Sequence, residues 1–404
     1  MTRSIIVIGG GLVGTSTAYH AAKAGLNVTL LEQKHIAHGA SGRNPGFVWL
    51  HCRNPGWALE VSLKGVELLK QLRDDLPAPF EFRQEGGLIY FTEERQRAVM
   101  EEFVELRTGH GLDMDLLDAA ETKTRVGPIR DDVLGASFCA NDAQIKTPTV
   151  VAALAAGAVA HGARIHEGVA VTDLIRSGDQ IVGARTLDGD YYADVVVVAT
   201  GAWTQHFMRD TIGLDVRVGR ERLQVMATEK LPRQIGPLVY GPETAKVYAL
   251  FRDLPSWNDA AFTSEIEEEL GHTMLTLAAQ RADGEILLGC PLDYPAHVDL
   301  RPTLSGLGAI SKTIARDFPG LANAAIDRVW AGVLPFTSDM VPIVDFASPG
   351  LFIAAGHVFG NSSGPMTGKL VTQMVMGEQP EVDMFETRWD RPLDPIVPGN
   401  TVVW

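Results

Sequence analysis

The sequence predicts an α/β protein in which pieces of a parallel sheet are interleaved with a mixed, strand-rich α+β part. Three observations carry this. A strand, glycine turn, helix and second strand open the chain; four consecutive valines stand at 195–198; and Leu351-Phe352-Ile353-Ala354-Ala355 ends in Gly356 near the close. Short, unbroken apolar runs are what a strand buried on both faces requires. Strand-rich material lies between these pieces, so a chain that crosses repeatedly between two domains fits better than two consecutive units. At 404 residues and 46% hydrophobic, the chain is long enough for two cores.

The first element is Ile5–Ile8, ending in Gly9-Gly10-Gly11-Leu12-Val13-Gly14. An Ala-rich helix follows from Thr15 to Ala24, closed by Gly25, and the strand Val28–Leu31 then delivers Glu32. Gly9, Gly11 and Gly14 stand in the G-x-G-x-x-G register of a Rossmann-like dinucleotide site. The first allows the tight turn, the second lets backbone approach a pyrophosphate, and the third lets helix pack closely on strand. The backbone of Leu12 and Val13 opens the helix, whose N-terminal N–H groups and positive dipole favour phosphate. Glu32 sits where a carboxylate takes the hydroxyls of an adenosine ribose, and it would repel a 2′-phosphate. Next comes Ala40–Gly46, whose Ser41, Asn44 and Gly46 offer hydroxyl, amide and backbone donors to a long cofactor. A plain surface loop is the other reading.

Helical periodicity resumes over Trp57–Leu72 and Glu93–Gly109, with the strand Gly87–Phe91 between them. Pro148 introduces an Ala-rich helix over Thr149–His161. Strands follow at Arg164–His166 and Val169–Ile175, then a hairpin at Asp188-Gly189. Val195–Val198 leads into Ala199-Thr200-Gly201, small residues that suit a ligand at the carboxyl end of a strand. Residues 216–326 are strand-rich and include an acidic run in which Glu265, Glu267, Glu268 and Glu269 read as a solvated helix face. A last helix is expected from Pro365 to Met376.

Composition excludes several classes. Thirty-five basic against fifty acidic residues give −15, which disfavours a nucleic-acid partner. No apolar run reaches the length of a membrane span, and the first residues enter a strand and glycine loop rather than a leader, so a cytoplasmic protein is expected. Cys52, Cys139 and Cys290 are far apart and in no metal spacing, so no metal is expected. Gly360-Asn361-Ser362-Ser363-Gly364 matches the nucleophile elbow of serine hydrolases. The last histidine, His357, precedes the serine, so that triad order is impossible.

These residues resemble the superfamily of D-amino-acid oxidase, glycine oxidase and sarcosine oxidase, with bacterial D-amino-acid dehydrogenase. Val7–Gly14 with Glu32 is similar to its FAD fingerprint, and Ser41, Asn44 and Gly46 match the Ser-x-x-Asn-x-Gly loop of the dehydrogenase branch. Asp194–Trp203, Trp330–Asp339 and Gly356-His357 resemble three further stretches, so the likeness spans nearly the whole chain. It implies a discontinuous FAD-binding domain (1–80, 145–215, 328–404) and a substrate domain (81–144, 216–327). It also implies non-covalent FAD, because Gly332 stands where a sarcosine-branch cysteine tethers the flavin. The adenine half would lie on Gly9–Gly14, Glu32 and the backbone near Val171, with Gly201 close by. The isoalloxazine would lie between the Ser41–Gly46 loop and the loop of Gly356, Gly360, Asn361 and Ser362, facing the positive end of the helix at Pro365. One departure stands out: where relatives hold the substrate carboxylate with arginine in Gly-x-Arg-Pro, this chain has Leu334. Either another cation does that job, with Arg53, Arg222, Arg252 and Arg281 as the candidates, or the substrate is not a simple α-amino acid; residues 240–272 also lack an obvious counterpart.

The expected reaction is oxidation of a C–N bond in an amine or amino acid, by hydride transfer to flavin N5 and hydrolysis of the imine. Oxygen, a quinone or a partner protein would take the electrons. Such a step needs alignment and a deprotonated amine rather than a dedicated base. Two alternatives stay open: oxidation of a 2-hydroxy acid, for which His51 or His357 would serve as base, and a flavin-holding subunit of a larger complex.

Overall fold

The computed structural model describes residues 3–396. Its first layer is a six-stranded sheet built from the three separated pieces that the sequence singled out. Strand order is Ile343–Ser348, Leu351–Ala355, Val195–Val198, Ser4–Ile8, Asn27–Glu32, Arg164–Glu167. All neighbours are parallel except the first pair. Ile8 pairs with both Val198 and Leu31, so the glycine turn and Glu32 emerge at the same sheet edge. All four valines are buried because both faces are covered. Ile6, Ile8, Val196 and Val198 share a core with Leu174, Ile181 and Ala184 of the three-stranded sheet Val171–Tyr192.

Helices Leu12–Lys23, Thr147–Ala160 and Gly360–Met376 cover the other face. They approach closely because the contacts are glycine. A Cβ on Gly368 would lie 2.4 Å from the Ser16 backbone, and one on Gly157 would lie 2.9 Å from the Tyr19 ring. The Ser16 hydroxyl donates to Pro365 O at 2.7 Å, tying the first helix to the last.

The second layer is a mixed eight-stranded sheet in the order Ile326–Phe336, Gly219–Lys230, Glu285–Asp293, Thr273–Gln280, Leu238–Tyr240, Gly87–Phe91, Gly135–Cys139, Met114–Asp118. Strand Ile326–Phe336 pairs along Gly219–Lys230, so the expected boundary at residue 328 falls inside it. One face packs on helix Leu304–Asp317. The other shares its core with the first layer through Tyr240, Leu277, Cys290 and Leu292.

Three local expectations are corrected. The last helix begins at Gly360, so Pro365 is its sixth residue; there proline forfeits only a bond to Asn361 O, close to an end where bonds are missing anyway. Residues Ala40–Arg43 form a helical turn rather than plain loop. In helix Glu265–Leu270, Glu267 is not solvated: it is buried, closes a capping box with Ser264, and accepts from Met274 N at 3.0 Å.

Candidate functional site

A long cavity runs along the carboxyl ends of the first sheet, and the glycine turn forms its near wall. Gly9 has φ +113°, and a Cβ there would lie 2.4 Å from Ala199 O. Only glycine permits that approach. Gly14 does not line the cavity; it seats the helix on the strand, where a Cβ would meet Gly9 O at 2.0 Å. The helix Leu12–Lys23 is preceded by Gly11, which has no side chain to cap it, so its first turn presents N–H groups to the cavity. One of them, Leu12 N, donates to Ser41 Oγ at 3.0 Å, which holds the turn Ala40–Arg43 over the helix end. Glu32 is buried, and its two oxygens accept from Gly10 N and Lys34 N, each at 2.8 Å. That leaves one lone pair per oxygen for ribose hydroxyls.

Gly9, Gly11, Leu12, Val13, Glu32, Ser41, Asn44, Val171, Gly201, Gly360 and Asn361 all line this cavity, as does His357. Gly46, Gly356 and Ser362 do not. Gly46 has φ +94° and crosses Ile145 O so closely that a Cβ would lie 2.0 Å away. Gly356, at φ +87°, packs against Thr337. Ser362 turns into the helix Trp57–Asp75, where it meets Ser62 Oγ at 2.9 Å. Asn361 Nδ2 donates to Asn44 Oδ1 at 2.6 Å and Phe47 O at 3.1 Å, joining the two loops expected to flank an isoalloxazine. An uncapped helix N-terminus, a paired carboxylate and an elongated wall of glycine backbone fit an adenine dinucleotide. Gly332 lies against Arg43 and offers no nucleophile for a tether.

His357 is buried, and burial pushes its pKa down to about 3. Its tautomer follows from its partner. Thr367 Oγ1 has one hydrogen, which goes to Ser363 O at 3.0 Å, so His357 Nε2, 3.1 Å away, is the donor. The ring is neutral and its Nδ1 lone pair remains.

Of the four expected arginines, Arg53 and Arg281 each keep a buried nitrogen with no hydrogen-bond partner, but Arg281 has a carboxylate at ion-pair distance and Arg53 has none among the described residues. Arg222 is held by Asp293 at 2.8 Å, Arg281 pairs with Glu285 at 3.6 Å, and Arg252 is exposed and donates to Lys246 O. Arg53 is buried, spends Nε on Trp49 O at 2.5 Å, and has Nη1 with no partner. Its guanidinium lies over the Phe359 ring, directly before cavity-lining Gly360. Tyr248 and Tyr240 are within electrostatic reach, and burial pulls its pKa down to about 10, still fully charged at neutral pH.

His51 is not in the cavity wall. It is fully buried, stacked on Trp49 (4.7 Å) and Phe103 (5.8 Å), with Nε2 3.0 Å from Ser137 Oγ and Nδ1 3.3 Å from Asp142. Burial lowers its pKa, partly opposed by Asp142. It therefore does not meet the expectation of a base in contact with substrate. Sequence reasoning missed His38, His206 and Phe207, which also line the cavity. No local motif marks them, because they arrive from a loop and from helix Thr204–Ile212.

Comparison with known proteins agrees with this geometry. The chain is 27% identical over 399 residues to the uncharacterized oxidoreductase YurR of Bacillus subtilis, spanning 95% of this chain and 97% of that protein. It is 26% identical over 391 residues to a glycine oxidase of Bacillus licheniformis, spanning 94% and 95%. Its fold matches the crystal structure of glycine oxidase from Geobacillus kaustophilus with a TM-score of 0.82, covering 97% of this chain and all of that one at 21% identity. The model of the FAD dependent oxidoreductase family matches residues 4–374, and the chain belongs to that family.

Proposed function

We propose that this enzyme oxidises the C–N bond of an amino acid whose carboxylate is held by Arg53. The observation that carries the reading is a buried guanidinium with a free Nη1, next to the cofactor cavity, on which no carboxylate of the described residues spends a hydrogen bond. A desolvated cation of that kind is a site for an anion, and arginine suits a carboxylate in particular. The likeness to glycine oxidases supports the same substrate class.

Gly9–Val13 and Glu32 would hold FAD, which when bound supplies the hydride acceptor. The chain supplies alignment. Arg53 would fix the carboxylate, so that the Cα–H direction is set by one anchored end. Phe359 covers the guanidinium, which is buried away from bulk water as Tyr240 and Tyr248 are. An amine with a free lone pair needs no base, whereas a 2-hydroxy acid must lose its hydroxyl proton. His357, with a pKa near 3, is a poor base for that task, which favours the amine.

The reading is tested by comparing kcat/KM for amino acids with their decarboxylated counterparts: proline with pyrrolidine, and sarcosine with dimethylamine. A carboxylate held by a buried arginine contributes about 2 kcal/mol or more, so the amino acid is expected to be favoured by about 30-fold or more. Equal turnover of the bare amine overturns the carboxylate assignment.

A further inference from the structure

We propose that Arg107 and Asp142 are positioning residues for Arg53, acting through the turn Trp49–Arg53; this rests on the reading of Arg53 as carboxylate anchor. Arg53 hangs from that turn by two bonds, its own N–H to Leu50 O at 3.0 Å and Nε to Trp49 O at 2.5 Å. The turn is buried, so its remaining polar groups need partners. Two side chains from other elements serve four of them. Asp142 Oδ1, just beyond strand Gly135–Cys139, accepts from Leu50 N at 2.6 Å and His51 N at 3.1 Å. Arg107, fully buried in helix Glu94–Gly109, donates Nε to His51 O at 3.0 Å and Nη2 to Leu50 O at 3.2 Å. Four backbone groups of two consecutive residues are thus clamped from opposite sides.

A column of rings braces the same turn. Trp49 stacks on His51, His51 on Phe103, and Phe103 on Phe251 at 3.8 Å. Phe251 belongs to the 240–272 segment, three residues after Tyr248, so this segment packs behind the anchor as well as beside it.

The charges explain why the clamp does not quench the anchor. Asp142 spends Oδ1 on two N–H groups and turns Oδ2 to His51 at 3.3 Å. Arg107 spends itself on carbonyls and on His110 Nδ1 at 2.9 Å. Neither forms a pair with Arg53, so two buried guanidiniums face one carboxylate and the region keeps a net positive charge for an incoming anion. A purely structural role would also use these bonds, but it would not couple them to carboxylate binding.

The test measures propanoate and propanamide binding to the FAD-loaded enzyme by perturbation of its visible spectrum, with thermal stability in parallel. Arg107→Met is expected to weaken propanoate at least fivefold and leave propanamide unchanged, and Arg107→Lys to recover part of the loss. In an Arg53→Met background, Arg107→Met should have no further effect on propanoate, because the group it positions is gone. An Arg107→Met effect of equal size in both backgrounds, or one shared by propanamide, overturns the proposal while leaving Arg53 as anchor. If Arg53→Met alone leaves propanoate binding unchanged, the anchor reading falls and this proposal falls with it. Should Arg107→Met not fold, Arg107→Lys is carried through the same cycle, with the same two outcomes deciding.

Discussion

Replacing Gly14 with alanine isolates the packing that shapes the cofactor cradle. An added Cβ would stand 2.0 Å from Gly9 O and 3.1 Å from its carbonyl carbon, whereas real Cβ contacts essentially never fall under 3.0 Å. Helix and strand end must therefore separate by about 1 Å. Neither partner has room to yield. Gly9 is fixed at φ +113° against Ala199, and the helix is backed by Gly368 at Ser16 and Gly157 at Tyr19. Alanine gains about 1 kcal/mol in helix propensity over glycine. Overpacking costs about 1–3 kcal/mol, so global stability changes by no more than about 2 kcal/mol. The cofactor loses more, because a shift of about 1 Å exceeds the range of a good hydrogen bond and the helix N-terminus gives charge-assisted bonds to phosphate. Two such bonds weakened together amount to about 2–4 kcal/mol, or about a 30- to 1,000-fold rise in Kd. The assay is titration of apoprotein with FAD, following quenching of flavin fluorescence. Gly25→Ala is the control: its Cβ meets nothing within 4 Å, so only its φ of +86° is strained, and FAD affinity should hold. The reasoning is refuted if Gly14→Ala binds FAD within threefold of wild type, or if Gly25→Ala weakens it as much.

Other predictions follow from the same geometry. Glu32→Gln leaves one acceptor oxygen for two backbone N–H groups and turns an amide toward the ribose, so FAD affinity should fall by about 1–3 kcal/mol in the same titration; an unchanged Kd contradicts ribose binding there. Arg53→Met should raise KM for a carboxylate substrate by about 30- to 1,000-fold, the equivalent of about 2–4 kcal/mol. Its Tm should change little, since removal of an orphaned buried N–H offsets the lost bond from Nε to Trp49 O; a large fall in Tm with unchanged KM would make Arg53 a structural cation. Burial pushes His20 and His357 down to about 3, from an unfolded value near 6.5. The unfolded chain then binds more protons between those values, so stability is full above pH 6.5 and declines as pH falls below it. Tm should drop between pH 7 and 5, and His20→Gln should flatten that slope; an identical slope in the variant refutes the assignment.

Much of the fold was legible because its signals are local. The glycine turn, Glu32 and the four valines sit within a few residues of the strands they specify, and their neighbours in the sheet follow from connection rules. Which buried arginine escapes a carboxylate partner was not legible, because the answer depends on Asp293 and Glu285 arriving beside Arg222 and Arg281 in the fold. His51 looked like a base near the flavin loop, yet Trp49, Phe103 and Ser137 enclose it. Pro365 imitated a helix start although the helix had begun at Gly360. Glu267 read as solvated because its neighbours are, while its own partner, Met274 N, lies beyond the helix.

The central claim is tested most directly by an anaerobic visible spectrum of the purified protein, recorded before and after single additions of glycine, sarcosine, D- and L-amino acids and 2-hydroxy acids. The account predicts flavin bands that bleach with a carboxylate-bearing amine, and admission of air then separates an oxidase from a dehydrogenase. Absence of flavin bands, or bleaching by a 2-hydroxy acid alone, would contradict it.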